Sequence, residues 1–167
     1  MDGRRFLTVM AVLDGKTQAM LEKMQAEIIR NVGAGTQTMG IPFHVTLGSY
    51  PTESEADIVD KIKQVASNCA RFEIELTGYN TFGDKVLFAE PTRPRELIEL
   101  RKCFEFDYAN GFEWVPHATV FCGDRAEVIK ARELLPEISE PIKAEIVGIE
   151  LGEFFPPRKI IRVDFEN

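Results

Sequence analysis

The chain has 167 residues, of which 44% are hydrophobic and 28% are charged, so one domain can bury a core without disulfides or metal ions. Twenty Lys and Arg against 27 Asp and Glu give a net charge of −7, which opposes long-range capture of DNA or other polyanions. The three cysteines lack a C-x-x-C spacing, so neither a disulfide framework nor a zinc knuckle is expected. The early apolar stretch, residues 6–13, is too short to span a membrane or serve as a signal peptide, so we expect a cytoplasmic protein without membrane contact.

Apolar periodicity predicts alternating strands and helices along the chain. Strands are expected over residues 5–13, 43–50, 72–79, 85–90, 115–122, 144–151 and 159–165. Helices are expected over residues 20–29, 58–66, 97–104 and 126–135, the last with Val128, Ile129 and Leu134 facing inward. The glycines of residues 33–40 indicate a loop, and their spacing fits neither a dinucleotide nor a triphosphate site.

The order of these elements repeats. The strand at Val86 lies 42 residues after His44, and the strand at Ile160 lies 43 residues after His117. Each half is strand, helix, strand, helix, strand if the strand at Val86 closes the first half and opens the second. We therefore predict an α+β fold, a single domain over residues 1–167, with two pseudo-twofold-related lobes. Each lobe is expected to be an antiparallel sheet with flanking helices, and the two surround a central cleft.

The two histidines of the chain share a motif: each has a threonine two residues later, in His44-Val45-Thr46-Leu47 and His117-Ala118-Thr119-Val120. Threonine accounts for only 10 of the 167 residues, so chance is a poor explanation for both pairs. Side chains of a strand alternate between its faces, so each histidine and its threonine share a face. The repeat then brings two imidazoles and two hydroxyls to one groove.

That set of groups suits phosphoryl chemistry at a ribose. One imidazole can take a proton from water or a hydroxyl while the other protonates the departing oxygen, because the reference pKa of histidine is near 6.5. The threonine hydroxyls can donate hydrogen bonds to the phosphate oxygens. This chemistry requires neither a metal ion nor a cofactor, and none is expected.

On these two motifs the chain resembles the 2H phosphoesterase superfamily, and within it the 2′-5′ RNA ligase and RNA 2′,3′-cyclic phosphodiesterase group. The resemblance implies a bilobal fold and metal-independent opening of a cyclic phosphate or a 2′-5′ linkage. It also implies that His44, Thr46, His117 and Thr119 form the catalytic set. The expected partner is a nucleotide or an RNA end that carries a cyclic phosphate, bound by a monomer.

Four other residues are candidates for substrate binding. Tyr50 and Phe121 share strand parity with the histidines and could stack on a base, although lobe packing is an alternative for both. Trp114 lies three residues before His117 and is either a base platform or a hydrophobic anchor. Arg158 precedes the last strand, where the resemblance suggests an arginine at the cleft edge and a solvated hairpin charge is the alternative.

Three other functions stay open at this point. A 2′-5′ ligase or phosphodiesterase acting on RNA would use the same motifs. A non-catalytic nucleotide- or phosphate-binding module would keep the cleft and break no bond. A metal site on both histidines is disfavoured because neither motif has a carboxylate or cysteine beside it as a third ligand.

Overall fold

The computed structural model describes residues 5–106, 108 and 113–166. The strands in this part of the chain are β1 (Phe6–Leu13), β2 (His44–Pro51), β3 (Phe72–Phe82), β4 (Val86–Pro91), β5 (Ala118–Cys122), β6 (Ile142–Phe154) and β7 (Arg158–Asp164). The helices are α1 (Gly15–Asn31), α2 (Glu55–Ala66), α3 (Arg95–Cys103) and α4 (Arg125–Leu134). Every predicted element is present, but β5 begins just after His117 rather than at Val115. No helix among these residues is both long and apolar enough to cross a membrane.

All seven strands belong to one antiparallel sheet of order β2-β1-β6-β3-β4-β5, with β7 paired to β6. The strand order has a twofold symmetry. Read from the two edges inward, β2 corresponds to β5, β1 to β4 and β6 to β3. The two halves meet where residues 72–76 of β3 pair with residues 142–146 of β6. The α+β fold and the repeat are therefore confirmed, and the two lobes share a continuous sheet. In this matching β4 is the counterpart of β1 and opens the second half, but it does not also close the first half as predicted, because β4 pairs only with β3 and β5.

The two motif strands form the ends of this order, yet they approach each other. Cα atoms of β2 and β5 lie within 8 Å across the groove between them. Val45, Leu47, Ala118 and Val120 are fully buried in the core beneath the motif strands. The curvature of the sheet thus places the two strand segments that carry the motifs side by side.

Side-chain caps fix where two of the helices begin. The Asp14 carboxylate accepts a hydrogen bond from the Thr17 backbone N–H at 2.9 Å at the start of α1. At α4, Asp124 and Glu127 form a reciprocal capping box. The predicted inward face of α4 is wrong in part, because Val128 is buried but Ile129 and Leu134 are exposed. The buried stripe of this surface helix is narrow, and Ala131 completes it.

Candidate active site

Both motif strands carry a β-bulge directly after the threonine. On β2, Thr46 pairs with Met10 and Gly48 pairs with Val9, so Leu47 has no partner of its own. On β5, Thr119 pairs with Phe88 and Phe121 pairs with Leu87, so Val120 is the extra residue. An extra residue in one strand shifts the alternation of side chains beyond it. Residues beyond Leu47 and Val120 therefore face the opposite side from the one that simple alternation predicts.

The bulges move two predicted binding residues out of the cleft. Phe121 is fully buried and Tyr50 is 9% exposed, and both belong to the hydrophobic core. The expectation that they line the groove is therefore wrong, and core packing accounts for them. Ser49 and Cys122, one position away on either strand, border the cleft instead.

The cleft consists of two cavities that share a wall. Thr46 and Thr119 border both cavities, together with Ser49 and Cys122. His44 lines the first cavity, which has a volume of about 260 Å³. His117 lines the second, of about 550 Å³, which lies within the usual range of small-molecule sites of about 300–1,000 Å³. The structure thus places the four predicted catalytic residues around one bipartite cleft, with a histidine on either side of the threonines.

The two imidazoles are held in the same way. Nδ1 of His44 lies 2.7 Å from the Pro42 carbonyl oxygen, and Nδ1 of His117 lies 2.7 Å from the Val115 carbonyl oxygen. A carbonyl oxygen only accepts, so Nδ1 of each ring carries the proton and donates it. In the neutral rings Nε2 is therefore the unprotonated nitrogen, the atom that can take up or deliver a proton.

Both imidazoles are mainly neutral at pH 7. Burial lowers the pKa of His44 to about 4, an effect that the Pro42 carbonyl opposes and the charge of His117 reinforces. Burial also lowers the pKa of His117 below its usual value, against the effect of the hydrogen bond to Val115.

Aromatic rings line both cavities. Phe6, Phe154 and Phe155 border the first, where the Phe6 and Phe154 rings stack with centroids 5.7 Å apart. In the second, the Phe82 ring meets the His117 ring at 89° with centroids 4.7 Å apart. An edge contact of this kind fixes the orientation of the imidazole. The aromatic rings offer apolar surface to a base on either side of the threonines.

The remaining two predicted residues have different locations. Trp114 lines the second cavity, where its indole Nε1–H donates to the Thr46 carbonyl oxygen at 2.8 Å, so it also anchors β2. Arg158 lies outside both cavities. Its guanidinium forms ion pairs with Glu55 at 2.6 Å and with Glu153 at 2.7 Å. Arg158 is therefore not at the edge of the cleft, where it was expected.

The loop before each motif strand crosses to the strand of the other half. Thr36 donates its backbone N–H to the Cys122 carbonyl oxygen at 2.7 Å. In the same way, the Ser49 N–H donates to the Phe106 carbonyl oxygen at 2.8 Å, and the Tyr108 N–H donates to the Ser49 carbonyl oxygen at 3.1 Å. Each loop thereby covers the outer edge of a motif strand. The two walls of the cleft are tied together at equivalent positions.

Sequence reasoning missed several residues of the cleft. Ser49 and Cys122 each lie five residues after a histidine, and this equal spacing was the available signal. Gln25, Phe82 and Arg101 come from elements distant in sequence, and nothing local marks them. Among the described residues, no group of three His, Cys, Asp or Glu side chains could hold a metal ion.

Comparisons with known proteins agree with this fold. The family model of the 2′-5′ RNA ligase superfamily matches residues 37–153. Escherichia coli LigT complexed with 3′-AMP is 15% identical, with a TM-score of 0.64 over 98% of this chain and 99% of that one. The TT0787 structure of Thermus thermophilus is 15% identical, with a TM-score of 0.62 over 96% and 97%. A structure described as a phosphoesterase is 16% identical, with a TM-score of 0.60 over 98% and 99%. No curated protein sequence matches the chain.

Proposed function

Because the chain belongs to the 2′-5′ RNA ligase superfamily, we propose that it is a phosphodiesterase that opens 2′,3′-cyclic phosphates of nucleotides or RNA ends. One observation carries the proposal. Two imidazoles, each with Nδ1 bonded to a main-chain carbonyl, stand on either side of two threonines in one cleft. All four side chains come from one chain, so a monomer suffices.

The reaction proceeds by paired proton transfer. The Nε2 atom of one histidine takes a proton from water as the water oxygen bonds to phosphorus. The bond from phosphorus to one ribose oxygen breaks, and the other histidine protonates that oxygen. The negative charge of the bound phosphate raises the pKa of the nearby imidazole, which supplies the acid form from a ring that is neutral in the unliganded protein. The Thr46 and Thr119 hydroxyls donate to the oxygens on which charge develops.

Nucleotide binding to related proteins supports this choice of substrate. LigT structures hold 3′-AMP and ATP. The net charge of −7 opposes long-range attraction of RNA, so mononucleotides and RNA ends are the favoured substrates over the interior of long chains. Phe82 and Phe154 offer an apolar surface for a base in either cavity.

A second candidate is 2′-5′ ligation, in which the 5′-hydroxyl of a second nucleotide replaces water as the nucleophile. The presence of cavities on both sides of the threonines favours it, because a ligase must hold a nucleoside on each side of the phosphate. The same two histidines would exchange protons with the nucleophile and the leaving oxygen.

The proposal is tested by turnover of the four nucleoside 2′,3′-cyclic phosphates in EDTA, with products resolved by chromatography. His44→Ala and His117→Ala should each lower turnover by about 10² to 10⁴, the usual worth of a general acid or base. The double variant should lose less than the product of the single losses, because both residues serve one proton-transfer step. A ligase would instead join a cyclic-phosphate end to a 5′-hydroxyl RNA.

Matched threonine variants separate chemistry from folding. Thr46→Ala and Thr119→Ala should lower turnover. The control is Thr77→Ala, which removes an exposed hydroxyl of β3 that donates to the Glu90 carbonyl oxygen, and it should leave turnover unchanged. If wild-type protein binds 3′-AMP and turns over none of the substrates, the chain is a binding module and the enzymatic proposal is wrong. Unchanged turnover in His117→Ala would remove that residue from the mechanism.

A further inference from the structure

Gln25 of α1 and Arg101 of α3 make equivalent contacts in the two halves. The Gln25 side-chain Nε2 donates to the Val120 carbonyl oxygen at 2.7 Å. Arg101 Nη1 donates to the Leu47 carbonyl oxygen. Leu47 and Val120 are the two bulged residues that follow the motif threonines. The bulged residue of each motif strand is therefore held by a side-chain donor. This donor is a neutral amide in one half and a cationic guanidinium in the other.

The charge of Arg101 has no protein counterion in the described part of the chain. The residue is only 9% exposed, and Nη1 is shared between the carbonyl oxygens of Leu47 and Phe104. Its Nε is buried and has no hydrogen-bond partner. No carboxylate of the described residues lies within 4.0 Å of the guanidinium. A buried cation without an anion is costly, and a bound anion would offset that cost.

Arg101 also makes the two cavities electrostatically different. Among the described residues, no charged side chain lines the first cavity. The second is lined by Arg101 and by the exposed carboxylate of Glu113. Arg101 is therefore the one cation that the described residues bring to the cleft, and it stands on the side of His117.

We propose that Arg101 binds a second phosphate of the substrate, one nucleoside away from the phosphate that reacts. This inference rests on the proposed function and adds to it a class of substrate, 2′,3′-cyclic phosphates that also carry a 5′-phosphate group. The reacting phosphate lies at Thr46 and Thr119, on the wall that both cavities share, whereas Arg101 lines the second cavity alone. A cavity of about 550 Å³ accommodates a nucleoside between the two phosphates. The uncharged first cavity is left for water or for a second nucleoside.

The decisive variant is Arg101→Gln, which converts the second half to the arrangement of the first. The variant removes the charge and keeps an amide donor of the kind that Gln25 offers to Val120. We expect wild-type kcat/KM to be higher for 5′-phosphorylated 2′,3′-cyclic AMP than for 2′,3′-cyclic AMP. In Arg101→Gln the ratio of kcat/KM for the phosphorylated substrate to kcat/KM for the other should fall about ten- to a hundredfold, the range for hydrogen bonds to charged groups. A dinucleotide ending in a 2′,3′-cyclic phosphate tests whether a phosphodiester serves in place of a terminal phosphate.

A purely structural role for Arg101 gives a different pattern. Loss of support for the bulged residue should harm both substrates equally, and Gln25→Ala provides the reference for that effect in the other half. If wild-type protein shows no preference for the 5′-phosphate, or if Arg101→Gln lowers both activities alike, the inference is wrong. Should Arg101→Gln fail to fold, the wild-type preference and its weakening by salt decide the matter.

Binding measurements keep this inference separate from the enzymatic proposal. Calorimetry with adenosine 3′,5′-bisphosphate and 3′-AMP requires no turnover. A ten- to hundredfold selective loss of bisphosphate affinity in Arg101→Gln would support the phosphate site even in a protein without catalytic activity. Turnover of cyclic nucleotides with equal affinity for the two ligands would overturn the inference and leave the proposed function in place.

Discussion

Ser49 and Cys122 occupy equivalent positions on the two motif strands, and both border the two cavities of the cleft. Each lies five residues after a histidine and beyond a bulge, and each is bonded through its backbone to the loop of the other half. Burial raises the pKa of the Cys122 thiol, so the group is a protonated thiol at neutral pH. These two small side chains limit the space beside the threonines, where the proposed substrate phosphate would bind.

Bulk at Cys122 should block the cleft. Cys122→Phe places a large ring on the wall that both cavities share, and we expect kcat/KM for 2′,3′-cyclic nucleotides to fall at least tenfold, a loss of about 1.4 kcal/mol or more in transition-state binding. Cys122→Ala removes the thiol without adding volume and should change kcat/KM less than threefold. Circular dichroism checks that both variants fold. A large loss in Cys122→Ala would assign a chemical role to the thiol instead.

Gly48 should tolerate no side chain. A Cβ atom at this position would collide with the Phe104 carbonyl oxygen and lie 2.9 Å from the Phe106 carbonyl oxygen. Gly48→Ala should therefore lower the free energy of unfolding by about 1–3 kcal/mol, the usual cost of overpacking, as measured by urea denaturation.

Gly78 on β3 is the matched control for this substitution. Its Cβ would meet nothing within 4 Å, so Gly78→Ala should change the free energy of unfolding by less than about 0.5 kcal/mol. Equal effects of the two substitutions would mean that the segment around Phe104 and Phe106 can move away from β2.

The sequence was sufficient to predict the element order, the repeat and the location of the motifs. These follow from apolar periodicity and from the spacing of His44 and His117, which local pattern alone determines. The bulges were not predicted, because two adjacent apolar residues such as Val120 and Phe121 also fit a strand that is buried on both faces. That single omission explains why Tyr50 and Phe121 were expected in the cleft and are found in the core.

Contacts between distant segments were the other gap. Arg101 reaches the Leu47 carbonyl 54 residues away, and Gln25 reaches the Val120 carbonyl 95 residues away. No periodicity reports such a contact, since it depends on how the sheet curves. The predicted location of Arg158 at the cleft edge was wrong for a related reason, because its partner Glu55 lies 103 residues away in sequence.

Chelation should leave activity intact. In the proposed mechanism the two histidines transfer the protons and the two threonines donate hydrogen bonds to the developing charge, so no Lewis acid is required. We expect turnover in the presence of EDTA to be within about twofold of the untreated rate. Loss of activity in EDTA, with recovery on addition of zinc or manganese, would contradict this mechanism.

Burial of the His44 imidazole should make the protein less stable as the pH falls below 6.5. The pKa of His44 is about 4 in the folded protein and about 6.5 in the unfolded chain, so between these values the unfolded chain binds more protons. Stability from the neutral ring is thus fully present above pH 6.5 and is lost as the pH falls toward 4. Between pH 7 and pH 5 we expect this effect to remove about 1–2 kcal/mol from the free energy of unfolding.

His44→Gln isolates the contribution of this one group. Glutamine does not titrate, so the drop in the free energy of unfolding between pH 7 and pH 5 should be smaller in the variant by that same amount, about 1–2 kcal/mol. The difference between the two proteins cancels the carboxylates, such as Asp14 and Glu153, whose pKa values are lowered in the folded state. The His117 contribution persists in both proteins and leaves a residual slope of the same sign, because burial lowers its pKa as well. Urea denaturation at the two pH values measures the effect, and parallel pH dependences in wild type and variant would show that His44 is solvated rather than held neutral in the cleft.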